Sequence, residues 1–274
     1  MNDLLVVGTA SLDVLHFGEK TVYTAGGAGM YTALAARRHS EQVTLFGPRP
    51  APSEMPDELQ PIAARLDWQG PITPLDQLPR LEIRQHGGGK ATLVGASWGA
   101  ETSFAPADLP EDVSNFYGVH IAALSSAQRQ LDFLRACRAR GAQRVSIGTY
   151  AKIAYGETAT VRQLCRAADW CFMNENEAKG VFGDIDSAQA QLRPGQSMCI
   201  TLAERGALLL AEGRQTLLPA PAAIEVDPTG AGDTFCGTFL ALLAQGNTLS
   251  TCGTRAIQAA SGMIGYVGPA GLLL

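Results

Sequence analysis

The segment Asp227-Pro-Thr-Gly-Ala-Gly-Asp-Thr-Phe235 places three small residues ahead of an acidic one, at the start of an apolar stretch with helical character. Small residues let a backbone approach a ligand closely. The free N–H groups of a helix start, with the positive end of its dipole, attract an anion. A carboxylate at Asp233 stands beside that anion and is able to take a proton from a hydroxyl held there. A base, anion-stabilising donors and in-line placement are what phosphoryl transfer requires. Taken alone, a G-x-G-D segment is more often a plain glycine turn with a capping Asp, so the surrounding chain has to decide.

The elements that would position Asp233 alternate. Residues 3–9 (DLLVVGT) predict a buried strand, 28–38 (AGMYTALAARR) a helix opened by two glycines, and 42–47 (QVTLFG) a second strand. The Pro-rich stretch GPRPAPSEMPDELQP then reads as loop. Residues 81–97 hold two β-prone runs around a glycine turn, a hairpin signal, and join residues 12–24 in a small β appendage. After residue 116 strands and helices alternate regularly through YGVHIAAL, AQRQLDFLRACRAR, RVSIGT, TATVRQLCRAA, DWCFM, ENEAKGVFG, SMCITLA and GALLLAEG. Two helices follow, TGAGDTFCGTFLALLAQG and TCGTRAIQAASGMIGYVG. This predicts an α/β fold with a mostly parallel central sheet covered by helices on both faces. Ligands of such sheets sit at the carboxyl ends of the strands. A length of 274 residues suits one domain, 1–274, with a small appendage.

Three further segments stand in order with the Asp233 motif: Gly8-Thr-Ala-Ser-Leu-Asp13 after the first strand, Ala25-Gly-Gly-Ala-Gly29, and Asn174-Glu-Asn-Glu177 after a later strand. Together they resemble the signatures of the ribokinase-like (PfkB) carbohydrate kinases, and the resemblance covers nearly the whole chain. It implies an ATP-dependent, Mg²⁺-using phosphotransferase acting on a hydroxyl of a sugar or polyol. By resemblance, Asp233 is the general base, and Gly230, Ala231 and Gly232 form the anion hole. Asp13, Gly26, Gly27 and Tyr31 line the substrate side. Asn174, Thr201, Gly206 and Gln258 contact the nucleotide, and Glu177 holds Mg²⁺ through water. Asp227 and Thr229 occupy positions that bind a monovalent cation such as K⁺ in some members. The β appendage corresponds to the family's lid over the sugar, which in some members also forms a homodimer interface. Without the family frame, Glu175 and Glu177 read as a solvated first helical turn and Asp13 as a turn residue.

The chain departs from the family pattern on the substrate side. Tyr31 stands where an Asn is usual, VSIGTY (145–150) lacks the usual Asp and Asn, and PRPAPSEMPDEL replaces a G-x-D-x-x-G region. Ala203 replaces a Gly in the nucleotide loop Thr201-Leu-Ala-Glu-Arg-Gly206. Arg49 lies near the substrate side and reads as a solvated loop residue. These departures keep two alternatives open: a nucleoside kinase, with Tyr31 and Phe17 stacking on a base, and a non-catalytic nucleotide or sugar sensor. A formal charge of −5 without a basic stripe argues against nucleic-acid partners. No apolar run is long enough to span a bilayer, and the start MNDLLVVGTASLD lacks signal-peptide features, so a cytoplasmic location is expected. The six cysteines have no metal-type spacing and read as buried, reduced thiols.

Overall fold

Leu4 to Val7 is apolar at every position, which suits a strand covered on both faces. In the computed structural model, which describes residues 3–88 and 90–274, this run is β1 (Leu4–Val7). Along the chain follow β2 (Ser11–Phe17), β3 (Lys20–Gly26), α1 (Ala28–Arg37), β4 (Val43–Phe46), α2 (Gln60–Ala63), β5 (Asp67–Gln69), β6 (Arg80–Gly87) and β7 (Lys90–Ser97). The second half holds β8 (Gly118–Ile121), α3 (Ala127–Ala139), β9 (Val145–Gly148), α4 (Ala151–Gly156), α5 (Thr158–Ala167), β10 (Trp170–Asn174), α6 (Glu175–Phe182) and α7 (Ile185–Ala190). It ends with β11 (Ser197–Thr201), β12 (Ala207–Ala211), β13 (Arg214–Leu218), α8 (Ala231–Ala244), α9 (Leu249–Met263) and α10 (Ala270–Leu273).

The expected α/β layering is present. The main sheet runs β13-β12-β11-β10-β9-β8-β1-β4-β5. From β5 to β11 neighbouring strands pair parallel, and β12 and β13 close one edge antiparallel. Successive residues of β1 point to opposite faces. Leu4 and Val6 pack with α1, α8 and α9, and Leu5 and Val7 with α3, α5 and α6. The cysteines are all free and buried among these layers.

β2, β3, β6 and β7 form a separate four-stranded sheet in the order β3-β2-β6-β7. Gly89, part of the glycine turn expected between residues 81 and 97, lies outside the described residues. On β6 the partly buried Leu81, Ile83 and Gln85 alternate with the exposed Arg80, Glu82 and Arg84, so one face is turned to the body of the protein. The parallel β2–β6 pairing puts Phe17 opposite Gln85.

Some elements escaped the sequence reading. β5 and β13 are edge strands, and β13 is exposed at four of its five positions, so neither shows the apolar run that marks a central strand. α4 and α7 have only six residues each, too few for a helical period to register. The last long helix stops at Met263, several residues before the end of the stretch read as helical.

Candidate active site

Asp233 sits in the first turn of α8, and Gly230 caps that helix with φ +80°, a left-handed conformation glycine adopts freely. The Gly230 carbonyl accepts the Thr234 N–H at 2.8 Å, and the Ala231 N–H donates to the Pro228 carbonyl at 3.2 Å. The N–H groups of Gly230, Gly232 and Asp233 have no acceptor among the described residues. Of the three expected anion-hole donors two are therefore free and Ala231 is engaged. The Asp233 N–H, which sequence reasoning did not name, is a free donor beside them. The Asp233 carboxyl makes no hydrogen bond or ion pair with a described residue, and desolvation pushes it up to about 7. Part of the residue touches solvent, which tempers that shift.

Glu177 lies in the first turn of α6, and instead of being solvated it is only 6% exposed. It closes a capping box with Asn174. Its Oε2 accepts the Asn174 N–H at 3.0 Å and its Oε1 accepts Asn174 Nδ2–H at 2.6 Å, while Asn174 Oδ1 accepts the Glu177 N–H at 2.9 Å. Burial pushes the Glu177 carboxyl up to about 8, and the nearby Asp233 adds to the shift. A buried carboxyl with a lone pair left on each oxygen and no cationic partner among the described residues suits a metal ion bound mostly by water and phosphate oxygens.

β10 and β11 pair so that Asn174 and Thr201 stand side by side at their carboxyl ends. The turn that follows is closed by the Leu202 N–H donating to the Gly206 carbonyl at 2.7 Å. Ala203, where the family pattern has Gly, holds φ +53°. Two basic residues absent from the sequence reading gather here: Arg205 pairs with Glu175 at 2.5 Å, and Lys179 pairs with the same carboxylate at 3.2 Å. Gln258 is exposed on α9 and bonds no described side chain.

On the substrate side Asp13 is 2% exposed, and its Oδ1 accepts the Leu81 N–H of β6 at 3.2 Å. A side chain at Gly26 would overlap the Asp13 carboxylate, so the missing side chain leaves the room that the carboxylate fills. Burial pushes Asp13 up to about 6. The Ser11 hydroxyl nearby pulls the other way, but without a hydrogen bond of good geometry. Gly27 is the N-cap of α1. Tyr31, on the first turns of that helix, is 1% exposed and its ring packs on Gly230: a Cβ there would come 2.5 Å from the ring. Its hydroxyl is buried without a partner among the described residues. Desolvation holds its proton firmly, and the charges of Asp227, Asp13 and Asp233 add to that. Tyr31 thus stands within electrostatic reach of all three carboxylates, and Asp233 within reach of Glu177. With no open ring face, Tyr31 does not offer the stacking surface considered for it. Arg49 is not a plain solvated loop residue either: its backbone bridges to Ile72 and its Nε is buried.

Asp227 is fully buried. Its Oδ1 accepts the Thr229 N–H at 3.0 Å and Gln85 Nε2–H at 2.9 Å, and its Oδ2 accepts the Gly268 N–H at 2.8 Å.

The profile of the pfkB family carbohydrate kinases matches residues 1–273 of this chain. The chain belongs to that family. It is a kinase, a phosphotransferase with an alcohol group as acceptor. This pfkB kinase is 28% identical over 265 residues to the cytidine kinase of Thermococcus kodakarensis, with 92% of each chain covered. It is 24% identical over 280 residues to the ribokinase of Bacillus subtilis, covering 95% of this chain and 92% of that one. Its fold superposes on adenosine kinase from Sinorhizobium meliloti with a TM-score of 0.84 at 20% identity, over 97% and 95% of the two chains. It superposes on a ribokinase from Cryptococcus neoformans in complex with ADP with a TM-score of 0.78 at 20% identity, over 99% and 96%. Among the described residues no helix is long and apolar enough to cross a membrane.

Proposed function

We propose that this pfkB kinase transfers the γ-phosphate of ATP to a hydroxyl of a sugar or polyol, with Asp233 as the general base. The observation that carries this reading is the unpartnered Asp233 carboxyl, pushed up to about 7, beside the free N–H groups of Gly230, Gly232 and its own backbone. A base is most effective when its pKa lies near the working pH. In this account the Asp233 carboxylate takes the proton of the acceptor hydroxyl as its oxygen attacks the γ-phosphorus. The bond to the β-bridging oxygen breaks and ADP leaves. The free N–H donors meet the negative charge that develops on the phosphoryl oxygens.

Asp13 orients the acceptor. Its second oxygen is open to hydroxyl donors, and the unpartnered Ser11 and Tyr31 hydroxyls supply further contacts. Glu177 would hold Mg²⁺, which supplies charge neutralisation on the phosphates when bound. Asn174, Thr201, Gly206, Arg205 and the exposed Gln258 form the nucleotide side. The four-stranded sheet acts as a lid that excludes water, a competing acceptor.

The likeness to cytidine kinase favours one second reading, a nucleoside whose ribose carries the acceptor hydroxyl. The test is ADP release from Mg·ATP over sugars, polyols and nucleosides. Turnover with free sugars or polyols, inhibited weakly by nucleosides, supports the first reading. Turnover confined to nucleosides establishes the second. ADP release independent of any acceptor contradicts both.

A further inference from the structure

Gln85 reaches from the inner face of β6 to the loop that carries the anion-hole glycine. Its Nε2 donates one hydrogen to Asp227 Oδ1 at 2.9 Å and the other to Thr229 Oγ1 at 2.8 Å. Thr229 immediately precedes Gly230, so this amide ties the four-stranded sheet directly to the turn before Asp233. A second contact runs parallel to it. Thr24 of β3 packs against Gly268, whose N–H donates to Asp227 Oδ2 at 2.8 Å.

Asp227 is fully buried, yet among the described residues it has no cationic partner. Its three hydrogen bonds come from neutral donors: the Thr229 and Gly268 N–H groups and the Gln85 amide. A buried carboxylate is tolerated only with such compensation. The residues therefore do not fit the monovalent cation that some family members hold at the positions of Asp227 and Thr229. The Gln85 amide nitrogen lies between Asp227 Oδ1 and Thr229 Oγ1, so a cation held by these two side-chain oxygens would have to displace it.

We propose that Gln85 is a positioning residue: its amide takes the place of a monovalent cation between Asp227 and Thr229 and latches the lid to the anion-hole turn. The inference rests on the kinase reading above. It makes turnover indifferent to the monovalent cation and couples lid closure to the geometry of Gly230.

The test compares the full-length protein with Gln85→Leu, near in size but without donors, in KCl and in tetramethylammonium chloride at equal ionic strength. For the wild type, exchange of the salts changes kcat and acceptor KM by less than about two-fold. Gln85→Leu loses kcat by about ten-fold or more in tetramethylammonium, regains several-fold in KCl, and keeps its KM for ATP within about three-fold. A thermal melt supplies a readout that needs no acceptor: K⁺ raises the Tm of Gln85→Leu and leaves that of the wild type unchanged. Activation or stabilisation of the wild type by K⁺, or a Gln85→Leu protein with wild-type kcat, KM and salt response, overturns the proposal. If no acceptor supports turnover, the kinase reading fails, while the cation-specific melt still decides for or against the latch.

Discussion

The ring of Tyr31 lies against Gly230, with so little room that a Cβ on Gly230 would come 2.5 Å from the ring. α1 and α8 thereby meet at the residue that opens the candidate anion hole, and Tyr31 fixes the turn from behind. Gly230→Ala combines this clash with a strained φ of +80°. The turn should shift and its free N–H groups lose their aim. A fall in kcat on the order of 10²–10³ is expected, with a much smaller change in the KM for ATP. A variant with unchanged kcat would show that this turn does not meet the transferring group.

The Tyr31 hydroxyl is buried and unpartnered, so Tyr31→Phe separates stability from binding. Removing an unsatisfied polar group should stabilise the ligand-free protein by about 1 kcal/mol. If the hydroxyl bonds the acceptor, the acceptor KM rises by roughly 5- to 20-fold, while the KM for ATP holds. Melting curves and steady-state kinetics on one preparation check both halves. A lower Tm would mean that the hydroxyl already has a partner.

Asp13 and Glu177 are buried carboxyls raised to about 6 and about 8. The folded state thus holds protons that the unfolded chain has released, and stability falls as pH rises. Their contribution is complete below the unfolded carboxylate range near pH 4 and is lost as pH climbs through about 6 and then about 8. The ligand-free protein should be a few kcal/mol less resistant to urea at about pH 8.5 than at about pH 5, on the order-of-magnitude scale of such shifts. Asp13→Asn and Glu177→Gln should each flatten the profile. Stability that rises over this interval would contradict the burial of both groups as charge-free acids.

The parts of the site that were legible in the sequence are those whose chemistry is local. Asn174 and Glu177 are three residues apart and cap their own helix, and Gly230 and Asp233 share one turn. The fold followed from alternating apolar runs, which mark strands and helices wherever burial is two-sided. What escaped depends on distant pairings. Gln85 and Asp227 are separated by 142 residues, and nothing in the local pattern of β6 distinguishes Gln85 from any partly buried strand residue. Tyr31 was visible as a departure from the family pattern, but its contact with Gly230 requires the packing of two helices far apart in the chain. Without the family frame Glu177 reads as a solvated acid, because first-turn acids usually are; its burial comes from the packed environment around α6.

Ala203 holds φ +53° in the nucleotide loop, a conformation that costs an L-residue on the order of 1 kcal/mol. Ala203→Gly should therefore raise the stability by up to about 1 kcal/mol, and Ala203→Val should lower it. Urea midpoints of the two variants give the comparison. A stabilising Val would show that the loop does not hold this conformation in solution.

The central claim is that Asp233 removes the acceptor proton. The most direct measurement is ADP formation from Mg·ATP, with and without acceptor, by the wild type and by Asp233→Asn across pH. For the wild type, acceptor kcat/KM should rise with pH and level off above about 7, as the Asp233 carboxyl loses its proton. Asp233→Asn should still bind nucleotide but lose acceptor-dependent ADP formation by about 10³-fold or more, at every pH. A variant that keeps a tenth or more of the wild-type rate, with the same pH profile, would contradict the account.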